Sequence, residues 1–134
     1  MKTAFVTGGS RGIGSAIALA LGKTFHVVVG FANSEDKAND VVKEIVAAGG
    51  SASTVQIDIS DAKSVDNAFT RIEKEYNSVD VLINNAGVTK DNILPRMKED
   101  EWLEVIQTNL TGSFYTSQRA ITVSYTHLTL PTKA

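Results

Sequence analysis

Short apolar runs alternate with longer amphipathic ones along most of this chain. TAFVT (Thr3 to Thr7), FHVVVGF (Phe25 to Phe31), STVQIDI (Ser53 to Ile59) and VDVLIN (Val79 to Asn84) are short and rich in β-branched residues, as strands buried on both faces are. Helical patterns lie between them. The first follows a glycine-rich turn, from Ile13 to Leu21. In the second, Ala38, Val41, Val42, Ile45 and Val46 recur at i, i+3, i+4, i+7 and i+8, and Gly49-Gly50 stops the run as a C′ glycine does. Ser34 reads as its N-cap, with Glu35 and Asp36 in the first turn. The third carries Val65, Ala68, Phe69, Ile72 and Tyr76 on one face and is entered through Ser60 or Asp61. A last helix is expected from about Glu101 to Ile121, with Trp102, Val105, Ile106, Leu110 and Phe114 on one face. Asn109 falls on that same stripe, where a buried amide must find partners, either as a structural bracket or as part of a site.

Strand and helix therefore alternate β-α-β-α-β-α-β-α, which calls for parallel strands joined by right-handed helical crossovers. The expected fold class is α/β, a doubly wound parallel sheet.

Composition narrows the picture. With 134 residues, 43% of them hydrophobic, the chain can bury the core of one soluble domain. A formal net charge of −2, with both signs interspersed, argues against a nucleic-acid or anionic-membrane partner. There is no cysteine, and His26 and His127 alone make a poor metal site, so no metal is expected. The N-terminal apolar run is cut short by glycines, too early for a signal peptide or a membrane span. A cytoplasmic location is the default expectation.

The turn after the first strand carries candidate chemistry. VTGGSRGIGSAIALAL places Gly8, Gly12 and Gly14 between strand and helix, spaced Gly-x-x-x-Gly-x-Gly. Glycines there let the backbone approach a pyrophosphate, whose charge meets the free N-H groups opening the helix. An NAD site usually carries an acid at the end of the second strand. Here that end reads VVVGFANSED, with neutral Asn33 and Ser34, and Arg11 of the glycine turn can reach a 2′-phosphate as a charge-assisted partner. NADP is favoured over NAD.

TGGSRGIG, the Asp58-Ile59 pair, NNAG at Asn84 to Gly87 and TNLTG at Thr108 to Gly112 together resemble the short-chain dehydrogenase/reductases. GVTKDNILPRMKEDEW (Gly87 to Trp102) brings the resemblance closest to bacterial 3-oxoacyl-[acyl-carrier-protein] reductases. It covers essentially Met1 to Ala120. The resemblance implies a Rossmann-type sheet of order 3-2-1-4 and a cofactor, NADP(H), held at its phosphates by Gly8, Ser10, Arg11, Gly12, Ile13 and Gly14. It puts Asn33 near the 2′-phosphate, Asp58 and Ile59 at the adenine, and Asn85, Ala86 and Gly87 beside the nicotinamide ribose. Asn84 would be a bracket within the sheet and Asn109 the catalytic asparagine that holds a proton-relay water. The implied reaction is NADPH-dependent reduction of a 3-oxoacyl group on acyl-carrier protein in fatty-acid synthesis. In it a tyrosine protonates the alkoxide, a serine positions the carbonyl, and a lysine four residues past the tyrosine lowers its pKa. Such enzymes are typically homotetramers. An acetoacetyl-CoA reductase, or another member with a different carbonyl substrate, is the alternative within the family, and a non-catalytic nucleotide-binding module the alternative outside it.

The chain departs from that pattern near Thr122. It contains no Tyr-x-x-x-Lys: Asp80 follows Tyr76 by four, Arg119 follows Tyr115 and Thr129 follows Tyr125. Tyr115 reads as a packing residue. The tail VSYTHLTLPTKA, Val123 to Ala134, resembles a sequencing-library adapter translated in frame, so residues 1–122 are expected to be the NADP-binding portion of a reductase and 123–134 a non-native tail. The sheet would then be truncated after about four strands. Its fourth strand would be an apolar edge prone to association, and the crevice at the switch point would lack one wall. The expectation for the chain as given is weak or no NADPH binding and no ketoreduction.

Overall fold

The computed structural model describes residues 1–10, 12–86, 98–100, 103 and 112–127, for 122–127 the backbone alone. Four strands, β1 (Thr3–Thr7), β2 (His26–Phe31), β3 (Ser51–Gln56) and β4 (Val81–Asn84), form one parallel sheet of order β3-β2-β1-β4. Helices α1 (Gly12–Leu21), α2 (Glu35–Ala47) and α3 (Ala62–Tyr76) connect them, and α4 (Gly112–His127) follows. This is the doubly wound α/β arrangement expected from the alternation, with the expected order 3-2-1-4.

Every residue of β1 and β2 is buried, because helices cover both faces and alternate side chains enter separate cores. On one face Phe5 and Val28 pack with Val55, Ile57, Val65, Phe69 and Ile72. Phe5 and Phe69 meet edge to face, with ring centroids 5.3 Å apart, a geometry that adds to their burial. On the other face Val6, Val27 and Val29 pack with Ala18, Val41 and Ile45; of the stripe read for the second helix Ala38, Val41 and Ile45 are buried, Val42 is half-buried and Val46 is 54% exposed. Each fully buried valine, isoleucine or phenylalanine among them contributes roughly 1.5–3 kcal/mol on burial.

The boundaries shift for identifiable reasons. The third strand was expected over Ser53 to Ile59 but pairs over Ser51–Gln56, in register from His26↔Ser51 to Phe31↔Gln56. After the Ile57 amide donates to the Phe31 carbonyl (2.8 Å), Asp58 turns the chain: its Oδ1 accepts from the Ser60 amide (3.0 Å) and hydroxyl (2.6 Å). The fourth strand begins at Val81 rather than Val79. Asp80 ties the entry to β1 instead, its amide donating to the Thr3 carbonyl and its Oδ2 accepting from the Thr3 amide.

Ser34 precedes α2 but makes no side-chain capping bond. Asp61 does cap α3, accepting from the Lys63 amide at 3.0 Å. Of the last expected helix, most of 101–111 lies outside the described residues, and α4 runs on past Ile121, carrying the backbone of Val123 with it to His127. Phe114, expected on the apolar stripe, is 59% exposed, whereas Thr116 is fully buried. Gly112, Thr116 and the half-buried Tyr115 and Arg119 form the inward face, and a residue two places from 112 and 116 points away from it. Tyr115 packs against the first core, as expected.

Candidate functional site

β1 lies between β2 and β4: the chain runs from β1 outward through β2 to β3 and then crosses to β4 on the other side of β1, which makes the carboxyl ends of β1 and β4 the switch point where such sheets bind ligands. The glycine turn sits there. The Thr7 side chain, 1% exposed, links the two strands: its hydroxyl donates to the Ile83 carbonyl (3.3 Å) and accepts from the amides of Asn85 and Ala86 (3.1 Å each). The Asn85 side-chain amide donates to the Gly8 carbonyl at 3.0 Å. The Gly9 amide ties the turn to β2 through the Gly30 carbonyl (3.1 Å).

Two positions in this turn admit only glycine. Gly8 has φ +64°, and a Cβ there would lie 2.8 Å from the Ala86 Cα. At Gly14 a Cβ would come within 2.4 Å of Asn85 Nδ2 and closer still to the Gly8 carbonyl oxygen. The first turn of α1 is thereby pressed against the turn that precedes it. Gly12 and Ile13 open α1 and are exposed, Ile13 at 75%; Ser10 is half-buried. A Cβ on Gly12 would meet nothing within 4 Å, and the first turn of α1 contains no acid. An open, uncontested helix start of this kind suits an anionic group, whose charge the leading N-H groups and helix dipole favour.

The other expected residues fall around the same end of the sheet. Asn33 is exposed in the loop between β2 and α2, and neither it nor Ser34 is acidic. Asp58 is exposed and Ile59 is 6% exposed beyond the end of β3. Asn85 and Ala86 are half-buried after β4. Thus Gly8, Ser10, Gly12, Ile13, Gly14, Asn33, Asp58, Ile59, Asn85 and Ala86 all follow the carboxyl ends of strands, while Arg11, Gly87 and Asn109 lie outside the described residues.

Asn84 was expected to brace the sheet. Its side chain instead joins β4 to α4: Nδ2 donates to the Ser117 hydroxyl at 3.0 Å, and Oδ1 accepts a short hydrogen bond from the Thr116 hydroxyl. Asn84 being the last residue of its strand, its amide meets the helix above rather than a neighbouring strand.

Two polar clusters were not anticipated. At the opposite end of the sheet, His26 Nδ1 lies 2.6 Å from the Ser51 hydroxyl and Nε2 3.1 Å from that of Ser53, which also accepts from the Tyr76 hydroxyl (3.1 Å). The His26 and Tyr76 rings stack at 4.2 Å. Burial pushes the imidazole pKa below its usual 6.5, against a smaller upward pull from Glu75. The signal was alternation: Ser51 and Ser53 face one side of β3 opposite His26, which becomes legible once the register is known.

The second cluster joins α3 to α4. Arg119 Nε donates to Asp66 at 2.9 Å, Nη2 reaches the Thr70 hydroxyl at 3.4 Å, and the guanidinium lies 5.8 Å from the Phe69 ring centroid. Nη1 is 2.5 Å from the buried Glu73 Oε1, an ion pair rather than an aligned hydrogen bond. Burial works against the charge, but the hydrogen bond to Asp66 and the attraction of the Glu73 and Asp66 carboxylates hold the guanidinium pKa above its ordinary value. Among the described residues no group of three or more His, Cys, Asp and Glu could hold a metal, and no helix is long and apolar enough to cross a membrane.

Comparison with known proteins matches residues 2–125 to the family model described as short chain dehydrogenase. The 3-oxoacyl-[acyl-carrier-protein] reductase FabG of Staphylococcus aureus is 48% identical over 120 residues, 89% of this chain and 49% of that protein. The 3-oxoacyl-[acyl-carrier-protein] reductase of a Synechocystis species is 48% identical over 114 residues, 84% of this chain and 46% of that protein. This chain therefore spans about half the length of the curated relatives it matches. Among solved structures, a metagenomic short-chain oxidoreductase in complex with NADP superposes with a TM-score of 0.86 at 35% identity, covering 93% of this chain and 57% of its own. A short-chain dehydrogenase/reductase variant from Serratia marcescens gives 0.84 at 33% identity, covering 90% and 50%.

Proposed function

The chain belongs to the short-chain dehydrogenase family, and on that premise we propose that residues 1–122 are the NADP-binding portion of a 3-oxoacyl-[acyl-carrier-protein] reductase. One observation carries the reading: a glycine turn locked between β1 and β4 by Thr7 and Asn85, facing a second-strand end with no acid. The turn suits a pyrophosphate, and the neutral Asn33 with the cationic Arg11 suits a 2′-phosphate better than two bare ribose hydroxyls. The reductase names of the relatives, and the NADP held by the metagenomic oxidoreductase, support the same reading.

In this proposal Gly8, Ser10, Arg11, Gly12, Ile13 and Gly14 hold the cofactor phosphates, Asn33 the 2′-phosphate, and Asp58 and Ile59 the adenine. Ala86 and Gly87 border the nicotinamide ribose. Asn85, whose amide is committed to the Gly8 carbonyl, contributes by fixing the turn. Asn109 orients a proton-relay water. When bound, the cofactor supplies hydride to a 3-oxo group. The serine and the Tyr-x-x-x-Lys that the family resemblance assigns to protonation are not in this sequence, so the chain as given catalyses no reduction, and Val123 to Ala134 stand outside the proposed domain. The whole enzyme is proposed to be a cytoplasmic homotetramer acting on carrier-linked substrates.

The test is to re-read the source locus across codon 122 by a method that adds no transposon adapter, and to express the resulting open reading frame. NADPH oxidation dependent on a 3-oxoacyl thioester by that product, and none by the 134-residue chain, is the expected pair of results. Turnover by the 134-residue chain, or a full product without reductase activity, overturns the proposal.

A further inference from the structure

Two helices grip the strand end proposed above to receive adenine. From α3, the Ser64 hydroxyl accepts the Asp58 amide at 2.8 Å. From α4, Gly112 is so close that a Cβ on it would lie 2.7 Å from the Ile59 carbonyl oxygen, 2.8 Å from its Cγ1 and 2.9 Å from its Cδ1. α4 is held in that place by Asn84, which bonds Thr116 and Ser117 one turn further on. The Asp58 carbonyl accepts from the Asp61 amide, and Oδ1 of the same residue is taken up by Ser60. Asp58 and Ile59 are thus fixed from both neighbouring helices, although they lie beyond the β3 ladder, which ends at Gln56.

From this arrangement we infer that Ser64 and Gly112 are positioning residues for the adenine subsite. They set where the Asp58 side chain and the Ile59 backbone present themselves, acting through those two residues on the ligand. α4 thus touches the segment beyond β3 through Gly112 and the end of β4 through Thr116 and Ser117. The inference rests on the reading that Asp58 and Ile59 receive adenine.

The test uses the 134-residue chain, its Ser64→Ala, Ser64→Thr and Gly112→Ala variants, and two probes. One is 2′-phosphoadenosine 5′-diphosphate; the other is inorganic pyrophosphate, which can engage the glycine turn without any adenine. Affinities are read from amide chemical-shift titrations. Ser64→Ala is expected to weaken the nucleotide about fivefold, the size of one lost hydrogen bond, and to leave pyrophosphate unchanged, while Ser64→Thr restores the parent value. Gly112→Ala is expected to act in the same direction more strongly; should it fail to fold, Ser64→Ala decides. If the parent binds nucleotide and Ser64→Ala binds it equally well, or loses both probes equally, the inference is overturned and the functional reading stands. If neither the parent nor the product of the re-read reading frame shows a nucleotide-dependent shift at Asp58 and Ile59, the reading falls and the inference with it.

Discussion

Asn85 reaches back 77 positions in the chain to donate its side-chain amide to the carbonyl of Gly8 at 3.0 Å. That one contact joins the end of β4 to the turn leaving β1, the two strands that border the crevice. A carbonyl at a tight turn has few other partners, and Asn85 leaves the peptide planes of the turn in one orientation. Replacing Asn85 with Ala is expected to lower stability by about 1 kcal/mol and to broaden or shift the amides of Gly8 and Gly9. Urea denaturation and amide spectra of the variant check both, and an unchanged turn spectrum contradicts the bracing role.

Gly14 offers a sharper substitution. A methyl group there enters space held by the Gly8 carbonyl and Asn85 Nδ2, so either α1 or the turn must move. Gly14→Ala is expected to cost about 2–3 kcal/mol as overpacking, and Gly12→Ala, where a Cβ meets nothing within 4 Å, less. Gly12 has φ +60°, so its penalty is backbone strain alone, of about 1 kcal/mol. Denaturation midpoints of the two variants should rank in that order.

His26 makes stability depend on pH. Its folded pKa is depressed below the usual 6.5 by burial, so the unfolded chain binds the proton more readily. The His26 contribution is therefore complete above about pH 6.5 and declines as pH falls from there through the lower folded value. Urea midpoints of the parent are expected to fall more steeply between pH 7.5 and pH 5.5 than those of His26→Gln. Parallel profiles for the two would contradict the assignment.

Arg119 meets Glu73 across α3 and α4 with both side chains less than a third exposed. Arg119→Met strands the Glu73 carboxylate and is expected to cost about 1–3 kcal/mol, whereas adding Glu73→Leu should recover part of that loss. A double-mutant cycle by chemical denaturation measures the coupling; additivity of the two changes would show that the pair contributes nothing.

The architecture was legible because the sheet is buried on both faces. Runs such as FHVVVGF have no polar face to confuse with a helix, and the stripes Ala38-Val41-Ile45 and Val65-Phe69-Ile72 carry the 3.6 period cleanly. The glycine turn was legible for a related reason: Gly8 and Gly14 are demanded by backbone contacts that no other residue satisfies. What escaped was set by tertiary partners. β3 begins at Ser51 because it pairs with His26, and its two serines carry no apolar signal. Ser34 looked like a cap by residue type, but its hydroxyl makes no such bond. Phe114 is apolar yet exposed, since Asn84 draws Thr116 and not Phe114 toward the sheet. The Arg119 cluster needed the packing of α3 on α4, which no periodicity within either helix announces.

A 2′-phosphorylated adenosine is the ligand proposed for this sheet end. The direct measurement is an amide chemical-shift titration of the 134-residue chain with 2′-phosphoadenosine 5′-diphosphate and, in parallel, with ADP. The predicted result is weak, saturable binding, with shifts at Gly8 to Gly14, Asn33 and Asp58-Ile59, and tighter binding of the 2′-phosphorylated ligand. Equal affinity for the two ligands would contradict the preference for NADP, and the absence of shifts at those amides in both the 134-residue chain and the product of the re-read reading frame would contradict the nucleotide site itself.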